Sequence, residues 1–172
     1  TIPAIFIFTI LLTVALSQKV FSQANFSAKT DFAAGFSPYS AATTDFNGDG
    51  KPDIVIVNFS GNTVSVYLNT TATGASTPTF SAETNFSTGN GPSGVTTGDF
   101  NGDGKQDLLV ANSTAGTVSV LRNTTGTGAS TPTFSAKTDF SVSAAPDEIS
   151  FTDYNGDGKP DMAVTSFGGS GL

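Results

Sequence analysis

Three short segments of the 172-residue chain hold nine of its 14 acidic residues in one spacing, Asp-x-Asn-x-Asp-Gly-Lys-x-Asp. The first carries Asp45, Asn47, Asp49, Gly50, Lys51 and Asp53. The second carries Asp99, Asn101, Asp103, Gly104, Lys105 and Asp107. The third carries Asp153, Asn155, Asp157, Gly158, Lys159 and Asp161. The chemistry this pattern suits is the binding of a hard cation. Calcium takes about six to eight oxygen ligands in flexible geometry. Side chains at positions one, three and five of a tight loop converge on one centre, and glycine at position six permits the sharp turn. The carbonyl of position seven (Lys51, Lys105, Lys159) can then point inward, and the aspartate at position nine adds a further carboxylate. One calcium per loop is therefore expected. Three carboxylates and one lysine leave each loop with two net negative charges, which one divalent ion neutralises.

A plain hairpin turn is the simpler alternative, because Asn-Gly and Asp-Gly are hairpin signals. It accounts for the middle of each loop but not for aspartate at positions one and nine three times over. An EF-hand needs glutamate at position twelve, where this chain has Ile56, Val110 and Val164. Helices flank dockerin-type loops, and this sequence offers none. Position two is aromatic each time (Phe46, Phe100, Tyr154) and is read as packing under the loop.

The elements that must position these loops follow from a gapless internal repeat of 54 residues. Its units begin at Phe26, Phe80 and Phe134, and Pro38, Pro92 and Pro146 fall in register. Each unit reads as four strands. The first spans 40–46 or 94–100 and is made mostly of small residues. The second, 53–58 or 107–112, is apolar on both faces and so buried on both. The third, 63–69 or 117–123, alternates, and the fourth spans 79–86 or 133–140. Ser60-Gly61-Asn62 and Thr114-Ala115-Gly116 read as hairpin turns. Thr70 to Pro78 and Thr124 to Pro132 read as surface loops. A four-stranded sheet repeated at this period must stack on its neighbours, and the expected result is all-β: a β-propeller fragment of tandem antiparallel blades, with the small-residue strand innermost. A stacked solenoid is the alternative. The outer strand of a preceding blade is expected at 26–32, full blades at 38–86 and 92–140, and a partial blade at 146–172. Propellers close with about four to eight blades, so further blades of the same chain are expected.

The net charge of −7 argues against nucleic-acid binding. Absence of both Cys and His removes disulfides, thiolate nucleophiles, the usual zinc sites and every His-based general base. Ile2 to Leu16 is an apolar run, too short for a comfortable membrane span and suited to the core of a secretion signal. Cleavage is expected after Ala24, leaving no stable membrane span. The chain has neither an initiating Met nor a basic leader, so a longer precursor is expected.

The phrase DFNGDGKPDIVIVN followed by GNTVSVYLN resembles the FG-GAP/VCBS repeat family, the calcium-loop blades also found in integrin α-subunit propellers. The resemblance runs from Phe26 to Leu172. It implies a propeller, often of seven blades, with one calcium on the outer strands' hairpin of each loop-bearing blade. It also implies secretion or cell-surface display, with adhesion or binding of an extracellular protein or glycan. The long Thr/Ser-rich loop between the third and fourth strands departs from the short turn common among relatives. The competing functional reading is an accessory propeller of a larger secreted enzyme whose catalytic domain lies elsewhere. Catalysis by this segment ranks last, since it has neither His nor Cys and its carboxylates are expected to serve a metal. Asn25, Asn58, Asn69, Asn112 and Asn123 open Asn-x-Ser/Thr triplets, which a Thr-rich composition produces without glycosylation.

Overall fold

The computed structural model describes residues 31–142 and 144–167. The expected signal at 1–24 and most of the strand expected at 26–32 lie outside the described residues. Backbone contacts divide the chain into a unit ending at Phe32 and one beginning at Ala33. Every strand among the described residues belongs to the second unit.

All regular structure among the described residues is β. Strands β1 (Pro38–Thr44), β2 (Asp53–Asn58), β3 (Thr63–Tyr67) and β4 (Thr84–Ser87) form one antiparallel sheet in sequence order. Strands β5 (Pro92–Gly98), β6 (Asp107–Asn112), β7 (Thr117–Leu121) and β8 (Thr138–Ser141) repeat it. A third sheet holds β9 (Pro146–Thr152) and β10 (Asp161–Ser166). The two full sheets share one register: Val55 lies opposite Val66 and Val57 opposite Val64, just as Leu109 lies opposite Val120 and Ala111 opposite Val118. The sheets do not close into a ring, and the architecture is a propeller fragment of tandem blades.

The core lies between blades. Val55, Val57, Val64 and Val66 on one face of the first blade meet Leu108, Val110 and Leu121 of the second. Every one of these side chains is at most 1% exposed. Phe46 closes the rim, edge-on to Phe134 at 5.5 Å, and Phe86 meets the same ring at 4.9 Å. Phe46, Phe86 and Phe134 thus pack together between the two full blades, whereas Phe140, the counterpart of Phe86 in the second blade, is 52% exposed. Phe100 meets Phe151 of the third sheet at 4.1 Å. Burial also bears on the Asn-x-Ser/Thr triplets: Asn58 and Asn112 are fully buried and Asn123 nearly so, out of reach of glycosylation in the folded chain.

The strand boundaries differ from the sequence expectation in three places. The first strand of each blade begins two residues earlier, at the proline, since the first residue of a strand tolerates a missing N–H. The third ends two residues earlier and the fourth starts later. There the Ser81 hydroxyl accepts from the Leu68 amide at 3.0 Å, and Ser135 serves Arg122 likewise at 3.2 Å. A side chain thus replaces a ladder carbonyl. Only single bridges, Asn69 to Phe80 and Asn123 to Phe134, continue the pairing.

Strands β1, β5 and β9 are the neighbouring inner strands, and Gly94 shows how tightly β5 meets β9. A Cβ built there would stand 2.1 Å from the Asp147 carbonyl oxygen. Backbone cannot yield as a flexible side chain can, so Gly94→Ala is expected to destabilise the chain by about 1–3 kcal/mol. At the equivalent position in the first blade, Ser40→Ala is expected to stay within about 0.5 kcal/mol. Urea unfolding of the two variants beside the unsubstituted chain measures the difference.

Candidate metal centre

The first eight residues of each nine-residue pattern join the first strand of a blade to the second: 45–52 links β1 to β2, 99–106 links β5 to β6, and 153–160 links β9 to β10. This corrects one expectation drawn from the resemblance. The loops sit on the inner strand pair, not on the outer hairpin, because the carboxylate at position nine is itself the first residue of the second strand.

All three loops wind around the carboxylate at position one. Asp45 Oδ1 accepts from the amides of Gly48 (2.7 Å) and Asp49 (3.2 Å), and Oδ2 accepts from Gly50 (2.8 Å). Asp99 accepts from Gly102, Asp103 and Gly104, and Asp153 from Gly156, Asp157 and Gly158. Asn47, Asn101 and Asn155 each accept from the amide two residues on. Asp49, Asp103 and Asp157 do the same for the lysine amide. This winding needs a left-handed residue at position six, where Gly50 has φ +82°.

Position nine has a structural role as well. Asp53 is fully buried. Its Oδ2 accepts from the Phe46 amide (2.8 Å) and its Oδ1 from the Asn69 amide (2.7 Å). Asp107 repeats this with Phe100 (3.2 Å) and Asn123 (2.7 Å). Asp161 accepts from Tyr154 at 3.0 Å and is only half-buried. In the two full blades the carboxylate thus ties the loop's entry to the residue two past the end of the next strand, β3 or β7. The sequence carries no signal for this role, because the donors at Asn69 and Asn123 are main-chain amides that any residue but proline supplies.

Lysine side chains do more than reach into solvent. Lys51 Nζ stands 3.5 Å from Asp49 Oδ2, and Lys105 Nζ donates to the Thr125 carbonyl at 2.9 Å. In loop one an ammonium thus lies within ion-pair distance of one of the loop's acids. The aromatic at position two behaves as read where a neighbouring sheet covers it: Phe46 is 2% exposed. Tyr154, on the two-stranded sheet, is 57% exposed.

The donors fit a calcium ion by chemistry. Every side chain at positions one, three, five and nine offers oxygen, and no soft ligand is present. An ionised carboxylate has about four lone-pair sites, so the three amides on Asp45 leave capacity for a cation. Among the described residues no three acidic side chains converge closely enough to grip a metal alone. A bound ion would therefore also need the asparagine amide oxygens, backbone carbonyls and water.

The electrostatics split the carboxylates. Burial pushes Asp53 above the ordinary aspartate range; the amides of Asn69 and Phe46 pull it back, while the charges of Asp45 and Asp49 push it further up. Asp107 is raised in the same way, by burial first. Asp99 and Asp153 are lowered, chiefly by the amides of Gly104 and Gly158. A raised folded pKa means the fold favours the protonated form. The stability it contributes is full below the unfolded value and is lost as pH rises through the folded value. Carboxyl NMR of the calcium-free chain is expected to show Asp53 and Asp107 titrating above ordinary aspartate and Asp99 and Asp153 below. Titration of all four together would contradict this.

A family model described as an FG-GAP-like repeat matches the chain twice, over residues 45–110 and 99–164. The matches overlap through the second loop and together span well over half of the chain. No curated protein matches the chain.

Proposed function

The chain belongs to the FG-GAP-like repeat family, and from that premise we propose that it is a calcium-binding extracellular repeat module that presents its blade-connecting loops to a protein or glycan. FG-GAP repeats occur in integrin-like adhesion and binding modules, and all-β repeats of this kind are typically non-catalytic. The observation that carries the reading is the same oxygen-rich winding at three loops. One calcium at each would be held by Asp45, Asn47, Asp49, Asp53 and the Lys51 carbonyl, and by their counterparts in loops two and three.

When bound, the ion neutralises the loop's carboxylates and locks them together. The chain's own groups do the rest. The position-one carboxylate organises the loop amides, and the position-nine carboxylate anchors the loop to its blade. Rigid loops lower the entropy cost of docking a partner. Millimolar calcium outside cells suits loops of modest affinity, with dissociation constants on the order of 10⁻⁴–10⁻³ M.

The test is capture of the immobilised chain on panels of glycans and extracellular-matrix proteins, with calcium and with chelator. Binding that disappears with chelator is expected. A panel without any ligand, or binding indifferent to chelator, would count against the reading.

A further inference from the structure

The long Thr/Ser-rich loop that departs from the family pattern lies on the cation loop of the blade before it. Gly128 N–H donates to the Asn47 carbonyl at 2.7 Å. The Asn47 side-chain Nδ2 donates to the Ala129 carbonyl at 3.0 Å. Asn123 Nδ2 donates to the Phe46 carbonyl at 2.9 Å. Three hydrogen bonds, spanning about 80 residues of sequence, thus clasp positions two and three of loop one. Asn47 is 5% exposed, whereas Asn101 and Asn155, with no such strap among the described residues, are exposed.

The first blade supplies an internal comparison. Its loop 70–78 has nearly the same sequence and the same turns. Thr70 and Thr124 each donate to the threonine nine residues on at 2.9 Å, and Ala75 and Ala129 each donate to the residue three back at 3.0 Å. Gly74 and Gly128 both have positive φ. The strap conformation is therefore written into its own sequence and needs no partner to form. One side chain responds to the neighbour. Asn69 turns Nδ2 to its own blade's Pro52 carbonyl, while the equivalent Asn123 turns to Phe46 of the preceding blade.

Asn123 also joins two loops. Its N–H donates to Asp107 Oδ1, its Nδ2 to the Phe46 carbonyl, and the Phe46 N–H donates to Asp53 Oδ2. A continuous hydrogen-bond path runs from the position-nine carboxylate of loop two to that of loop one.

We propose that the segment 123–132 is a positioning strap for the preceding blade's cation loop, so that loop one binds calcium tightly only when the second blade is docked. The proposal rests on the calcium reading above. Groups that orient a metal's ligands without touching the metal typically change affinity by about 10–100-fold when removed. Linkage makes the coupling reciprocal: calcium in loop one strengthens the junction between the two blades.

The test is a matched pair, Gly128→Pro and Gly74→Pro. Both replace a glycine of positive φ at the same turn and remove an N–H, on an exposed loop. Only Gly128 spans two blades. Calcium titration followed at the amides of Gly50, Gly104 and Gly158 reads each loop separately. Gly128→Pro is expected to weaken loop one about tenfold or more and to leave loop three unchanged; Gly74→Pro is expected to leave all three within about twofold. Equal effects of the two substitutions on loop one, or none from Gly128→Pro, would overturn the strap while leaving the calcium reading intact. No calcium response at any glycine of the unsubstituted chain would overturn both. Amide exchange in the unsubstituted chain gives a check without substitution: the Asn47 segment is expected to exchange at least tenfold more slowly than the Asn101 segment, and equal rates would overturn the strap.

Discussion

Asp107→Ala is expected to destabilise the calcium-free chain by about 3–5 kcal/mol, and Asp53→Ala, equally buried and equally bonded, by a similar amount. The Asp107 side chain is fully buried, and its two oxygens serve the amides of Phe100 and Asn123. Alanine would leave both donors without an acceptor in the interior, and each such orphan costs about 1–3 kcal/mol. The cavity adds to that. Relief of a carboxylate that burial already disfavours returns part of it, so the estimate stays below the sum of its largest parts. Asp107→Asn keeps one acceptor and removes the charge, and should cost about 1–2 kcal/mol. Asp161 separates the structural role from the cation role. It serves one amide and is half-buried, so Asp161→Ala should cost about 1 kcal/mol or less without calcium. Guanidinium unfolding in chelator measures all of these. Equal losses at Asp107 and Asp161 would show that the buried strut contributes nothing of its own.

The second large effect is that of calcium on stability. An ion that binds only the folded chain stabilises it by about 2.7 kcal/mol per independent site at one hundred times its dissociation constant. For a chain of this size that is a rise of about 5–10 °C in Tm for each site filled. Substituting position one should remove one increment at a time, since Asp45, Asp99 and Asp153 each organise one loop. Scans with calcium, with chelator and with magnesium read the effect. Magnesium demands stricter octahedral geometry and parts with water reluctantly, so it should give a smaller shift. A Tm that ignores calcium would argue that the aspartates only cap turns.

Much of this fold is legible in the sequence, for identifiable reasons. The second strand of each blade, Asp53–Asn58 and Asp107–Asn112, is bounded by an aspartate and an asparagine at a hairpin, with only apolar residues between. Small residues in the first strand mark the inner position, and Gly94 against Asp147 shows the reason. The third and fourth strands are less legible because Ser81 and Ser135 interrupt the ladder through a hydroxyl, and a serine in a strand carries no periodicity signal. The loops are legible as candidate sites because their ligand types are local. The strap is not, because Asn47 and Ala129 are 82 residues apart and nothing near either one announces the other. Read locally, Asn123 is only the end of a strand; its place between Asp107 and Phe46 exists only once two blades have stacked.

The most direct measurement is an anomalous difference map from crystals grown in calcium at physiological concentration. One peak is expected within each of the loops 45–53, 99–107 and 153–161, with oxygen ligands at about 2.3–2.6 Å. Well-ordered loops without a peak, their aspartates bonded to backbone amides alone, would contradict that expectation.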